Sequence, residues 1–232
     1  AARHKQKGIL RFNQYDQVIQ ATVSGVHADV GIALDGDGDR LVMVDHLGRI
    51  ADGDQLLYVI ASDRKRAGTL QGPVVGTVMS NLGLEQKLRA EGVEFLRAQV
   101  GDRYVLAMLK EHGGALGGET SGHLLCLDRT TTGDGLISAL EVLAVMKRTG
   151  RPLAELVAGM PKFPQVMINV RVKERIDPSQ SQVIQDAVRR VVTEQGTREP
   201  QLRRNLAPGR TLGLVMDAPI LGVRPQIAGL YP

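Results

Sequence analysis

Hydrophobic and polar positions change rhythm several times along the 232 residues of this chain. Val30-Gly31-Ile32-Ala33-Leu34 and Leu41-Val42-Met43-Val44 are short apolar runs that predict two strands, the first a short buried one. Asp45-His46-Leu47-Gly48 predicts a turn into Arg49-Ile50-Ala51. Asp52 or Asp54 then caps a helix to about Arg64, with Leu56, Leu57, Ile60 and Ala61 on one face. Gly68 to Gly72 with Pro73 has the composition of a linker.

A regular strand-helix alternation follows. Val74–Met79 predicts a strand, and Ser80 or Asn81 caps a helix that carries Leu84 and Leu88 and stops near Gly92. Val93–Ala98 predicts the next strand, and Gly101-Asp102 opens a helix to about His112 with Asp102 as its cap and Val105, Leu106 and Leu109 inward. Leu116 to Leu127 contains an extended segment, and Asp134 caps a helix whose apolar side is Leu136, Ile137, Leu140, Leu143 and Ala144.

Gly159 to Pro164 is a second linker. Val166–Val172 alternates as a strand, and Ser179–Gln195 predicts a helix with Val183, Ile184, Ala187, Val188 and Val191 inward. Both ends are weakly patterned: residues 1–28 begin basic (Arg3, Lys5, Lys7), and Thr197–Pro232 is interrupted by five prolines without completing a unit. The expected class is α/β, with mixed sheets flanked by helices and segments bounded at 1–66, 67–162 and 163–232.

Between the first two strands lies Asp35-Gly36-Asp37-Gly38-Asp39-Arg40. Three carboxylates at alternate positions repel one another unless a cation sits among their oxygens. Hard oxygen donors favour Mg2+ or Ca2+ over a transition metal. The glycines lack Cβ and let the backbone fold tightly enough for the side chains to converge. An acidic solvated turn is the plain alternative, since Asp-Gly pairs are common in hairpins. A calcium EF-hand fails on the residues that should follow: Arg40 stands where that loop needs glycine, and His46 where it needs its bidentate glutamate. One Mg2+ held by Asp35, Asp37 and Asp39 is therefore expected, with Arg40 placed to meet an anion that shares it. Such a loop between strands suits the ligand edge of an open α/β sheet.

The second constellation is Gly117-Gly118-Glu119-Thr120-Ser121-Gly122-His123. In an extended segment Glu119, Ser121 and His123 share one face. A carboxylate beside a hydroxyl suits vicinal sugar hydroxyls, and His123 adds a proton donor or acceptor. Solvated polar side chains at a glycine-rich strand end are the alternative. Arg103 stands in the first turn of its helix, where the dipole disfavours a cation, which hints at an anionic partner. Thr130-Thr131-Thr132-Gly133-Asp134-Gly135 is explained by turn and capping chemistry, and His4, His27 and His112 have no companions at ligand spacing.

Composition narrows the partners. Aromatic content of 3% without Trp leaves little for base stacking, and a net charge of +4 without a long basic run gives no nucleic-acid surface. The single Cys126, in Leu124-Leu125-Cys126-Leu127, rules out an internal disulfide and is expected as a buried strand residue in a reducing compartment. No apolar run approaches the roughly 20 residues of a membrane span, so no membrane partner is expected. No signal-peptide core opens the chain, and a cytoplasmic location is expected.

In this order and spacing, four segments resemble the α-D-phosphohexomutase superfamily: Gly31-Ile32-Ala33-Leu34-Asp35-Gly36-Asp37-Gly38-Asp39-Arg40, Thr77-Val78-Met79-Ser80-Asn81, Val100-Gly101-Asp102-Arg103-Tyr104-Val105 and Gly118-Glu119-Thr120-Ser121-Gly122-His123. The resemblance runs from about Asp29 to Val192 and favours the bacterial phosphoglucosamine mutase branch over phosphomannomutase or phosphoglucomutase. It implies a four-domain, Mg2+-dependent enzyme that interconverts glucosamine 6-phosphate and glucosamine 1-phosphate, on the route to UDP-N-acetylglucosamine and peptidoglycan. A phosphoserine and a bisphosphorylated sugar carry the phosphoryl group, with a sugar 1,6-bisphosphate as activator. On that resemblance Asp35, Asp37 and Asp39 hold the metal in a second domain, and Arg40 stands beside the phosphoserine. Glu119 and Ser121, with Arg103, bind substrate in a third domain, and His123 is a candidate for proton transfer.

The chain departs from that pattern at both ends. Nothing matches the family's Thr-Ala-Ser-His-Asn loop, and none of Ser24, Ser62, Ser80 or Ser121 stands in such a context, so no nucleophile is assigned. The phosphate clamp Arg-x-Ser-Gly-Thr-Glu-Pro has only a faint echo in Thr197-Arg198-Glu199-Pro200. A fragment with an incomplete C-terminal domain, truncated or out of frame at its ends and inactive alone, is the resulting expectation. A remnant that binds Mg2+ or a sugar phosphate without turnover is the alternative.

Overall fold

The computed structural model describes residues 13–171, 181–195, 201–204 and 211–217. The chain divides into two compact units, Ala1–Pro161 and Lys162–Pro232. The first opens with helix α1 (Asn13–Val26), in a stretch where the pattern predicted no element. The signal was weak because the helix buries little: Val23 is buried while Val18 and Val26 stand in solvent.

Strands β1 (Val30–Leu34), β2 (Leu41–Asp45) and β3 (Ile50–Ala51) form an antiparallel sheet in the order β1-β2-β3. Leu34 pairs with Leu41, so the acidic loop closes a hairpin and does not lie at the carboxyl edge of a parallel sheet. The expectation that the first strand is the buried one fails: it is β2 whose Leu41, Met43 and Val44 are fully enclosed. An apolar run does not distinguish an edge strand from a central one, and on β1 Ile32 and Leu34 are 40% and 43% exposed.

Helix α2 (Gly53–Ala67) starts with a capping box: Asp52 accepts from the Gln55 N–H, and the Gln55 side chain accepts from the Asp52 N–H. It ends at Gly68 in the left-handed conformation. Leu56, Leu57, Ile60 and Ala61 are buried as expected, and so are Tyr58 and Val59. A helix covered on several sides belongs to the middle of a core.

Beyond it run β4 (Val74–Thr77), α3 (Leu82–Ala90), β5 (Phe95–Ala98), α4 (Asp102–His112), β6 (Leu116–Gly118) and β7 (Leu124–Cys126). The sheet order is β5-β4-β6-β7, with β5, β4 and β6 parallel and β6-β7 an antiparallel hairpin. One hydrophobic core joins Leu41 and Met43 of the first sheet, Leu56, Leu57 and Ile60 of α2, and Val74, Leu116 and Leu124 of the second. The border expected at 66/67 therefore falls inside a single compact unit. Cys126 is buried on β7, and burial pushes its thiol up to about 11, as suits a strand residue and not a nucleophile.

Helix α5 (Gly135–Thr149) is capped by Asp134 as expected, but its inward face is Ser138, Ala139, Val142 and Val145. Leu136 and Leu140, expected inside, are 57% and 52% exposed. Small residues let the helix approach its neighbours closely, and the Ser138 hydroxyl is satisfied by the Asp134 carbonyl. A short helix α6 (Leu153–Val157) closes this unit.

In the second unit, β8 (Gln165–Arg171), α7 (Gln182–Gln195), β9 (Gln201–Arg204) and β10 (Thr211–Asp217) are described. The sheet order is β8-β10-β9, antiparallel throughout. Strands β9 and β10 lie in the stretch where no unit was expected to complete. On α7, Val183, expected inward, is 74% exposed. The basic N-terminal start and the Thr197–Pro200 segment lie outside the described residues. Among the described residues no helix is long and apolar enough to cross a membrane.

Candidate functional site

Asp35, Asp37 and Asp39 each offer a carboxylate oxygen within 4.8 Å of the others, at the tip of the β1-β2 hairpin. The loop holds its own shape through the Gly38 N–H, which donates to the Asp35 carbonyl at 3.3 Å, and the Arg40 N–H, which donates to Asp35 Oδ1 at 3.1 Å. Burial works to raise the Asp35 carboxyl. That backbone N–H, the neighbouring Asp39 and the Arg40 charge outweigh it, leaving Asp35 below its ordinary value. Arg40 Nε lies 3.7 Å from Asp35 and 3.9 Å from Asp39, with the side chain half in solvent.

The donor set fits a hard divalent cation. All three ligand groups are carboxylates, and Asp39 Oδ1 is buried without a hydrogen-bond partner, with the Arg40 guanidinium no nearer than an ion-pair distance of 3.9 Å.

The second constellation is a tight turn and not an extended segment. The Glu119 N–H donates to the His123 carbonyl at 2.9 Å and the Gly122 N–H to the Glu119 carbonyl at 3.0 Å, closing the β6-β7 hairpin. The expected common face for Glu119, Ser121 and His123 is thereby lost. Ser121 stands exposed at the tip, Glu119 is half-buried and His123 is buried. Glycine made both conformations admissible to the pattern, and the hairpin won because β6 and β7 pair across it.

This turn reaches the acidic loop. The Leu41 N–H donates to the Gly122 carbonyl at 3.0 Å, Arg40 and His123 form an antiparallel bridge, and His123 Nδ1 lies 3.1 Å from Asp39 Oδ2. His123 therefore orients a metal-ligand candidate directly, as a partner standing behind that carboxylate. Its Nε2 is buried without a hydrogen-bond partner and faces Gly133, where any Cβ would collide with the ring. Gly122, at φ 92°, has no room for a Cβ against the Leu41 backbone.

Two helix starts hold the turn from other sides. The Gly53 N–H at the start of α2 donates to the Thr120 carbonyl at 3.1 Å, and a Cβ on Gly53 would collide with the Glu119 carbonyl. The Thr120 hydroxyl donates to Asp54 Oδ2 at 2.8 Å. At the start of α4 the Gly101 N–H donates to Glu119 Oε1 at 3.0 Å, so a carboxylate meets a helix N-terminus where the dipole favours it. Gly101, at φ 126°, is the N-cap of α4, and Asp102, expected in that role, is the first helical residue. Arg103 is exposed in the same turn, stacks on Tyr104 with 4.6 Å to the ring centre, and donates to its hydroxyl.

Of the sequence candidates, the structure brings together Asp35, Asp37, Asp39, Arg40 and His123, joined through the turn to Glu119. It leaves Ser121 and Arg103 on the surface. Asp54, Thr120, Gly101 and Gly133 were missed. Thr120, Gly101 and Gly133 stood inside quoted segments without a role, and Asp54 was read only as a possible helix cap, two places beyond the true N-cap Asp52.

Residues 52–163 match the family model of the phosphoglucomutase/phosphomannomutase alpha/beta/alpha domain III, which begins ahead of the border expected at 66/67 and takes in α2. The chain is 57% identical over 178 residues to a phosphoglucosamine mutase of Methylococcus capsulatus, covering 77% of this chain and 40% of that protein. It is 53% identical over 201 residues to one of Alkalilimnicola ehrlichii, covering 87% and 45%. The chain thus spans less than half the length of these curated relatives. Its fold matches a phosphoglucomutase/phosphomannomutase family protein from Burkholderia thailandensis with a TM-score of 0.72 and 25% identity, over 89% of this chain and 46% of that one. It also matches the fold of Aspergillus fumigatus N-acetylphosphoglucosamine mutase, solved with GlcNAc-6P and magnesium, with a TM-score of 0.66 and 18% identity, over 83% and 46%. With its acidic hairpin and glycine-rich turn in one compact unit, the chain belongs to the phosphoglucomutase/phosphomannomutase family.

Proposed function

We propose that this chain serves the interconversion of glucosamine 6-phosphate and glucosamine 1-phosphate, contributing the Mg2+ loop and the sugar-binding turn. The observation that carries the reading is the junction of the two constellations at His123, which bridges Arg40 and meets Asp39 while its own turn presents Glu119. Asp35, Asp37 and Asp39 would hold one Mg2+, which when bound neutralises charge on a phosphoryl group. Arg40 offers that group a second positive charge. Glu119 and Ser121 accept from and donate to sugar hydroxyls, and Arg103 meets the sugar's phosphate. His123 sets Asp39 through Nδ1, and that nitrogen is the candidate for proton transfer, since Nε2 is packed away against Gly133. Within the family's chemistry the phosphoryl group passes through a phosphoserine and a sugar 1,6-bisphosphate, supplying UDP-N-acetylglucosamine synthesis. None of the serines in these 232 residues matches the loop that such a carrier needs, so turnover is expected only together with a serine-bearing domain.

Calorimetry with glucosamine 6-phosphate, in Mg2+ and with glucose 6-phosphate and mannose 6-phosphate as competitors, tests this. Mg2+-dependent binding with a preference for the amino sugar, lost in Glu119→Ala, is expected. Equal affinity for all three sugars would move the reading to phosphomannomutase/phosphoglucomutase. Binding indifferent to both Mg2+ and Glu119 would overturn it. Turnover by the chain alone would show a phosphoryl carrier that none of the assigned residues provides.

A further inference from the structure

We propose that Asp54 is a positioning residue for the 119–123 turn: its carboxylate clamps Thr120 and thereby sets Glu119 and Ser121 toward a sugar. This rests on the sugar-binding reading of that turn.

Asp54 is fully buried, in the first turn of α2. Its Oδ2 accepts from two directions, from the Asn81 N–H at 2.8 Å and from the Thr120 hydroxyl at 2.8 Å, while Oδ1 has no hydrogen-bond partner. A buried carboxylate with an unsatisfied oxygen is costly, and an amide or an alanine at this place would avoid the charge. The helix does not need it, because Asp52 already caps α2 with its own capping box. What Asp54 does is tie the turn to the 77–81 loop, across 66 and 27 residues of chain respectively.

The tie acts on the residue between the two sugar-facing side chains. Thr120 is held at its carbonyl by the Gly53 N–H and at its hydroxyl by Asp54. With both fixed, the neighbouring Glu119 and Ser121 lose rotational freedom before a ligand arrives, which is preorganisation of a binding site.

The charged and titratable surroundings of Asp54 are few. Asp52 on its own helix raises its pKa by repulsion. The 77–81 loop contributes the Ser80 hydroxyl, and behind its Thr77 and Ser80 carbonyls stands Arg97, paired with Glu85. The turn contributes Glu119, committed to Gly101, and His123, committed to Asp39. Burial is the largest influence and pushes the Asp54 carboxyl up to about 6. The ionised form is the stronger acceptor for Thr120, so the clamp tightens as pH rises through that value.

The test is a pH titration of the chain by NMR, following the Asp54 carboxyl carbon together with the backbone amides of Glu119, Thr120 and Ser121. A shared midpoint near the Asp54 value, abolished at the turn amides in Thr120→Val while Asp54 still titrates, is expected. Turn amides blind to the Asp54 midpoint, or unchanged in Thr120→Val, would overturn the proposal. A second arm measures glucosamine 6-phosphate affinity in wild type and Asp54→Asn, whose ratio cancels the titration of the sugar phosphate. A roughly tenfold weakening near pH 7.5 that shrinks toward about pH 5 is expected from loss of one charge-assisted bond. A ratio independent of pH would count against the clamp. Failure of the wild type to bind would sink the sugar reading alone, leaving the NMR arm to judge Asp54.

Discussion

The acidic loop 35–40 and the turn 119–123 are both short hairpin connections rich in glycine, yet they are built in opposite ways. The first carries its chemistry in consecutive residues and is stabilised largely from within, by Arg40 and Asp35 across its own neck. Its outside anchors are the Gly135 N–H on the Gly38 carbonyl and His123 on Asp39. The second is held from three places, by β2 at Gly122, by α2 at Thr120 and by α4 at Glu119. A loop that binds a small cation can bring its ligands in local sequence. A turn that must present a carboxylate and a hydroxyl at a fixed angle needs a scaffold from elsewhere in the chain.

The sharpest way to break this contrast is to add a methyl group to each loop. Gly122→Ala forces a Cβ into the Leu41 backbone at a φ of 92°, and cooperative unfolding should weaken by more than about 3 kcal/mol. Gly36→Ala meets nothing within 4 Å, and its cost should stay within about 0.5 kcal/mol. Urea denaturation of both variants checks the pair, and equal losses would dissolve the distinction.

Asp54 comes next in size. Its folded-state pKa lies above the unfolded 3.8, so the stability it contributes is complete below that value and is lost as pH rises through about 6. The shift corresponds to about 3 kcal/mol as an order of magnitude. Other carboxylates titrate in the same range, so the quantity to measure is the difference between Asp54→Asn and wild type. That difference should move in favour of the variant by up to this amount between about pH 4 and about pH 7. A difference that stays flat would mean that Asp54 is not ionised by burial-opposed titration in the folded protein.

The acidic loop responds to metal instead. Mg2+ at a hundredfold excess over its dissociation constant should stabilise the wild type by about 2.7 kcal/mol, and Asp37→Ala should erase that gain. Asp37 is exposed, so the same substitution should cost little without the ion. Thermal melts with Mg2+ and with chelator separate the two effects. A melt in which Asp37→Ala still gains from Mg2+ would remove Asp37 from the ligand set.

These differences also explain what the sequence disclosed. Asp35 to Arg40 announced themselves because their partners are each other. The scaffold of the turn was illegible, since Thr120 meets Asp54 from 66 residues away and Glu119 meets Gly101 from 18. The extended face assigned to Glu119, Ser121 and His123 followed from treating the segment as self-contained, which it is not. Strand and helix order from β1 to α4 was legible from periodicity, while 116–127 was read as one extended segment where two strands stand and α6 was not expected; helix starts at Asp52, Asn81 and Asp134 were legible from capping residues. Helix α1 was not, because Val18 and Val26 of its apolar side stand in solvent while Val23 is buried, and the strands after residue 200 were hidden among prolines.

The smallest predicted effect concerns α5, the helix whose Gly135 end supports the acidic loop. Periodicity put Leu136 and Leu140 in the core, on one apolar side with Ile137, Leu143 and Ala144. The structure turns them outward and packs Ser138, Ala139 and Val142 inward. Leu136→Ser therefore removes little buried area, and stability should change by no more than about 0.5 kcal/mol. Val142→Thr places a hydroxyl where no surface is exposed, and should cost about 1–3 kcal/mol. The same rotation brings Gly135 under the carbonyls of Gly38 and Arg40, so the acidic loop's external support depends on it. Chemical denaturation of the two variants decides the matter: a larger loss at Leu136 than at Val142 would turn the helix back to the face that periodicity suggests and take that support away from the loop.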